Sequence, residues 1–201
     1  MERKLNNRLL SIRQMTMVGM LSAISIFLGV TGLGFIPIPP VRATIMHIPV
    51  IIGAIIEGPI VGSLVGLVFG LFSMYQNFTA PGPTSFLFWN PIIALVPRIL
   101  IGIVAYYVYS FLRNKIKSQS FNIGIASLLA SFTNTAGVLS LAYLFYLERY
   151  SAILGINPNA AAATIAGIAL TNGIPEAIVS AIICIPVIIS ILKIKKNRNW
   201  Y

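Results

Sequence analysis

Aspartate is absent from the 201 residues, cysteine and histidine occur once each, and charged side chains of every kind make up only 9% of the chain. Each shortage removes a class of chemistry. Without aspartate there is no Asp-rich metal motif of the sort used for diphosphate chemistry. A single cysteine, Cys184, excludes an intramolecular disulfide and a multi-cysteine metal centre, and its apolar setting, "AIICIPV", reads as packing. A lone histidine, His47, has no Cys, Asp or second His beside it to complete a metal site, and it reads as a helix-end or packed residue with hydrogen bonding to a ligand left open. No metal and no cofactor are therefore expected. No G-x-x-x-x-G-K-[ST] segment occurs, so the chain does not hydrolyse ATP through a P-loop. No Ser/His pair on well-defined helices points to an intramembrane hydrolase. The two related halves usual in a secondary transporter are also missing.

What is present is apolar. Soluble domains carry about a quarter charged residues, whereas here 57% of the side chains are hydrophobic. The composition is that of an integral membrane protein. Six segments are apolar enough for membrane helices: about 15–33, 44–56, 59–75, 89–110, 122–147 and 161–192. The first follows a basic start, as a signal peptide would, but no small-residue cleavage site ends it, and it reads as a retained helix. The expected fold is all-α, a polytopic six-helix bundle forming one domain over residues 1–201. The turn "EGP" puts Pro59 at the start of the third helix, and Pro175 and Pro186 predict kinks in the sixth.

The net charge of +10 is concentrated in three clusters: Arg3/Lys4/Arg8/Arg13, Arg113/Lys115/Lys117 and Lys193/Lys195/Lys196/Arg198. Clusters beside apolar spans read as cytoplasmic anchors, and there is no solvated basic face interleaved with aromatics, so nucleic acid is not an expected partner. An even number of crossings follows, with both termini in the cytoplasm of a cell-membrane protein. The longer connections, 34–43, 76–88 and 148–160, then face outward, where recognition is expected. Glu57 reads as an anchor for an inner turn.

Polar residues are few, and they line up. Arg98 lies inside "NPIIALVPRILIG", with Asn90 two turns above it. Ser127, Ser131 and Asn134 form a stripe on the fifth segment, and Asn172, Glu176 and Ser180 form one on the sixth. Ionisable residues at membrane depth face a bundle interior and pair there, so Arg98 and Glu176 are expected partners. Two readings stay open: a buried ion pair that fixes helix packing, or an arginine fork that also takes a ligand's carboxylate. Trp89, Thr44 and His47 sit at the outer ends of the helices and join the candidate ligand residues. Gly58, Gly62, Gly66 and Gly70 recur every four residues, a spacing that admits a second helix at close range, either within the bundle or from another subunit.

The stretches "MTMVGMLSAISIFLGV", "HIPVIIGAIIEGPIVGSLVGLVFGLFS" and "NPIIALVPRILIG" resemble the substrate-binding S components of energy-coupling factor (ECF) transporters, the pantothenate-type members most of all. The resemblance implies a subunit that binds a small vitamin near the outer surface. It also implies a transmembrane coupling subunit and two ATPase subunits as partners, with lipid around the bundle. Small residues on the first helix dock the coupling subunit in that family, and the matching positions here are Gly19 and Ala23. The family usually has alanine at both, so Gly19 is a mild departure. Pantothenate, with a carboxylate, an amide and two hydroxyls, suits Arg98, Asn134, Asn172 and Glu176. Riboflavin or folate would use Phe78, Phe86, Phe88 and Trp89 for stacking. A membrane scaffold with a purely structural polar core is the alternative from another class.

Overall fold

A computed structural model describes residues 10–38, 41–82, 85–155 and 161–197. Seven helices and one hairpin appear among them, in the order α1 (Ile12–Val30), β1 (Phe35–Ile38), β2 (Val41–Thr44), α2 (Ile48–Glu57), α3 (Pro59–Thr79), α4 (Ser85–Phe88), α5 (Pro91–Arg113), α6 (Gln119–Leu154) and α7 (Ala161–Asn197). Five helices are long and apolar enough to cross a membrane: α1, α3, α5, α6 and α7. The helical membrane bundle expected from composition is what forms. The basic residues Arg3, Lys4, Arg8 and Arg198 lie outside the described residues, as does the end of the third long connection.

The second predicted helix is the main departure. It starts at Ile48 rather than residue 44 and runs for only 10 residues, about 15 Å at 1.5 Å per residue. The missing length is supplied by β2, which pairs antiparallel with β1 in the register Phe35↔Thr44, Ile36↔Ala43, Pro37↔Arg42 and Ile38↔Val41. Four strand residues add about 13 Å, so β2 and α2 together cover nearly the depth of a hydrocarbon core of about 30 Å. Pro37 within β1 has no N–H to give a helix.

α2 is the axis of the bundle. Every residue from Ile48 to Ile56 is buried, and it packs against α1, α3, α5 and α7. In lipid the apolar surface itself drives little association, so close packing and hydrogen bonds hold helices together. The glycine stripe of α3 does this work internally. A methyl group at Gly62 would lie 2.5 Å from the Ala54 Cβ, one at Gly70 would lie 2.7 Å from the Ala94 carbonyl oxygen, and one at Gly66 would collide with the Arg98 carbonyl. Gly102 on α5 meets the Gly62 backbone in the same way. Gly58 is not part of that stripe: its φ of 105° makes the turn between α2 and α3, with Pro59 opening the next helix.

The basic end of the bundle is clasped by Glu57. Its buried carboxylate meets Arg13 Nη2 at 2.5 Å and lies 3.7 Å from Lys195 Nζ, while Lys195 also donates to the Ile56 carbonyl. Gln14 completes the clasp by donating to the Glu57 carbonyl oxygen, and its backbone forms a capping box with Ser11. One acidic side chain thus ties α1, the α2–α3 turn and α7 together, as the anchor reading of Glu57 expects. Both cations keep a third of their surface in solvent. Glu57→Gln should therefore lower unfolding stability by only about 1–2 kcal/mol, read as a lower melting temperature in detergent that narrows against wild type in high salt.

α6 ends as a single helix at Tyr146, whose φ of −136° marks a kink, one residue short of the end expected from hydropathy. Beyond it the chain continues helical to Leu154. α7 carries Pro175 and Pro186 inside a run of 37 residues.

Candidate functional site

Arg98 sits two turns into α5, where the helix is already compromised. Pro97 has no N–H, so the Ile93 carbonyl loses its usual i+4 donor. Arg98 fills that gap: its Nη1 donates to the Ile93 oxygen at 2.9 Å. The bond folds the side chain back toward the start of α5 and buries it, leaving 5% of the residue exposed. The guanidinium lies over the Phe88 ring at 4.8 Å and near the Phe69 ring at 5.6 Å, distances at which the aromatic faces attract a cation. Its Nε has no hydrogen-bond partner.

Glu176 does not form the expected ion pair with Arg98. Among the described residues the carboxylate within 4.0 Å of a cation is that of Glu57. One Glu176 oxygen instead accepts from the Thr44 backbone N–H at 2.7 Å and the other from the Thr135 hydroxyl at 3.1 Å. The hairpin strand β2, α6 and α7 are joined there. Arg98 and Glu176 are both buried, 5% and 6% exposed. They face the same interior without contact.

His47 caps α2 and is fully buried. Its Nε2 is 2.7 Å from the Ser180 hydroxyl, and that hydroxyl donates its only proton to the Glu176 carbonyl at 2.7 Å. The contact therefore requires His47 Nε2 to carry the hydrogen. Nδ1 is buried and without a partner, and it is the acceptor when the ring holds that one proton. Asn134 Oδ1 and Ser131 Oγ on α6 are likewise buried and unpartnered. These groups share one level of the bundle. Pro97 packs against Gly137, three residues from Asn134; Thr135 reaches Glu176; and Ser180, one turn on from Glu176, reaches His47.

Other predicted residues fall elsewhere. Asn90 is the N-cap of α5, its Oδ1 accepting from Ile92 N at 3.0 Å, so the amide holds the helix rather than the interior. Trp89 is 43% exposed, stacks on Phe78 at 5.7 Å and donates from Nε1 to the Asn77 carbonyl. Asn172 is half-buried one turn beyond Glu176 and accepts from the Thr171 hydroxyl. Cys184 is packed and fully buried, as its neighbours foretold. On α1, Gly19 and Ala23 are exposed on one face, and nothing lies within 4 Å of a methyl group placed at Gly19.

Three contributors gave little or no signal in the sequence, and a fourth showed only as part of a polar stripe. Phe69 is one apolar residue in an apolar helix. Phe88 registered only as an outer aromatic. Thr135 stands 41 residues from Glu176, and the role of Ser131 as an unpartnered hydroxyl shows only once α5 and α6 are packed.

A family model described as "ECF transporter, substrate-specific component" matches residues 13–188. The chain belongs to that family. It is therefore a component of a transporter and a multi-pass membrane protein. Two curated relatives match over most of their length. One, the pantothenic acid transporter PanT of Lactococcus lactis subsp. cremoris, is 33% identical over 172 residues, covering 79% of this chain and 82% of the relative. The other, the pantothenate transporter PanT of Leuconostoc mesenteroides subsp. mesenteroides, is 32% identical over 167 residues, with 80% and 81% covered. The matched region of this S component takes in α1 through most of α7, and so every residue of the buried polar level.

Proposed function

We propose that this S component captures pantothenate from the outer side of the cell membrane and hands it, chemically unchanged, to an ATP-driven coupling module. The observation that carries the substrate is the set of unpartnered polar atoms at one level of the interior: Arg98 Nε, His47 Nδ1, Asn134 Oδ1 and Ser131 Oγ. A buried polar group without a partner is costly, and pantothenate offers a complement to each. Its carboxylate suits the arginine, while its two hydroxyls and amide N–H suit the acceptors on His47 and Asn134. Glu176, already accepting from Thr44, ties the hairpin to the same site, and Asn172 borders its mouth. The names of both curated relatives support the same substrate.

Riboflavin and folate need an aromatic platform inside the site, and the aromatic rings nearest the buried polar groups already have partners. Phe78 and Trp89 cover each other, Phe86 is buried edge-on against Tyr146, and Phe88 lies under Arg98. Mass spectrometry of ligand retained by the purified protein tests the reading: intact pantothenate is expected, and a flavin, a pterin or a modified pantothenate would contradict it.

The basic end, with Arg13, Arg113, Lys115, Lys117, Lys193, Lys195 and Lys196, is assigned to the cytoplasm, and the hairpin end to the outside. Gly19 and Ala23 form the docking face for the coupling subunit, which works with two ATPases. Enlarging that face separates the two activities. Gly19→Leu/Ala23→Leu should leave pantothenate binding unchanged while uptake into cells falls to the background of cells without the protein. Loss of binding, or retained uptake, would move the docking face elsewhere.

A further inference from the structure

The bundle has a polar recess near its basic end, more than ten residues along α5 from Arg98. A cavity of about 290 Å³ opens between the last turns of α5, the connection into α6 and the end of α7. Arg113 and Lys117 stand exposed at its edge, Tyr109 and Asn122 are buried in its wall, and Ile116 and Leu192 make it partly apolar. Asn122 is the informative residue. It is 2% exposed, its Nδ2 donates to the Ile116 carbonyl at 2.9 Å, and its Oδ1 has no partner. The cavity therefore presents two cations, the exposed amide of Gln119 and one buried acceptor that lacks a donor.

That pairing selects among anionic molecules. A phosphate oxygen satisfies Arg113 and Lys117, but Asn122 Oδ1 needs a neutral O–H or N–H a few atoms away. An ethanolamine headgroup would bring its ammonium against two cations, a choline headgroup has no donor, and a simple phosphate monoester has no second donor arm. A phosphodiester with glycerol as one of its two alcohols has both parts. Near the cavity, Ile194 on α7 is 58% exposed, and Phe111 on α5 is 59% exposed with Lys115 Nζ 4.3 Å over its ring; their open sides give acyl chains an apolar surface. We propose that this cavity binds the headgroup of a phosphatidylglycerol-type lipid, its phosphate held by Arg113 and Lys117 and its glycerol hydroxyl donating to Asn122 Oδ1. The assignment is independent of which vitamin the outer site takes.

Native mass spectrometry of the purified protein, titrated with lipids of matched acyl chains, tests it. Phosphatidylglycerol adducts should exceed phosphatidylcholine and phosphatidylethanolamine adducts by about tenfold or more, as two interfacial cations predict. Arg113→Gln/Lys117→Gln, both at exposed positions, should erase that preference. Asn122→Ser should keep the preference over phosphatidylcholine but lower the ratio of phosphatidylglycerol to phosphatidic acid, which lacks the terminal hydroxyl, by about tenfold. Soluble glycerol phosphate at millimolar concentration should fail to compete. Equal binding of phosphatidylglycerol and phosphatidylcholine, or a preference that survives in the double variant, would overturn the proposal. Displacement by glycerol phosphate would overturn the lipid assignment in favour of a soluble phosphate ester, and an unchanged ratio in a folded Asn122→Ser protein would remove the hydroxyl contact.

Discussion

Arg98→Ala should weaken pantothenate binding by about a hundredfold or more, the range expected when one partner of a buried, hydrogen-bonded charge pair is removed. The size follows from where the guanidinium is held. Its Nη1 is already used by the Ile93 carbonyl, two aromatic rings cover it, and Nε is left without a partner. The side chain is thus oriented before ligand arrives, and little rotamer freedom is lost on binding. Arg98→Lys should recover only part of the affinity, because an ammonium lacks the planar fork that can hold Ile93 and a carboxylate together. Titration calorimetry on both variants, with thermal unfolding as a check on the fold, reads the effect. Unchanged affinity in a folded Arg98→Ala protein would remove the arginine from the site.

Gly66→Ala should damage fold and site together. The new methyl would meet the Arg98 carbonyl oxygen, lie 2.9 Å from its carbonyl carbon and 3.3 Å from Ile99 Cα. All three are backbone atoms that cannot swing aside, so relief requires α3 and α5 to separate. Overpacking of this kind costs about 1–3 kcal/mol, with backbone clashes at the upper end. The melting temperature in detergent should fall, and pantothenate affinity should fall with it because the Arg98 backbone is displaced. Gly19→Ala is the control: its methyl would enter open space, and neither quantity should move. Arg98→Ala, in contrast, uncovers the Ile93 carbonyl but leaves α3 and α5 seated, so it should lose far more binding than Gly66→Ala for a similar fall in melting temperature. That difference separates a residue that touches ligand from one that holds the helix beneath it.

Much of this was legible in the sequence because lipid imposes simple rules. Long apolar spans had to be helices, Glu57 beside a tight turn read as its anchor, and glycine every four residues marked a close approach. The polar stripes on α6 and α7 were visible at helical spacing, and so was the burial of Arg98. What spacing along one helix cannot supply is the rotation of neighbouring helices about each other. Arg98 and Glu176 look complementary in a list of charges, yet α5 turns its arginine up to the carbonyl freed by Pro97 while Glu176 is claimed by Thr44 and Thr135. The local rule that proline frees the i−4 carbonyl could have signalled the Arg98–Ile93 bond. Nothing local could have signalled the Thr44 contact, which joins residues 132 positions apart through a hairpin that reads in sequence as an irregular loop. Asn90 shows the opposite error: a polar residue above Arg98 on the same helix is read as a neighbour, when its position just before Pro91 makes it a cap.

The central claim is that the buried polar level of this single chain is a pantothenate site. Isothermal titration calorimetry of the purified wild-type protein, stripped of retained ligand and without ATP or partner subunits, tests it most directly. Saturable one-site binding of pantothenate, with no heat from riboflavin or folate, is the predicted result. A cooperatively folding protein that gives no heat with pantothenate, or that binds riboflavin or folate as tightly, would contradict the account.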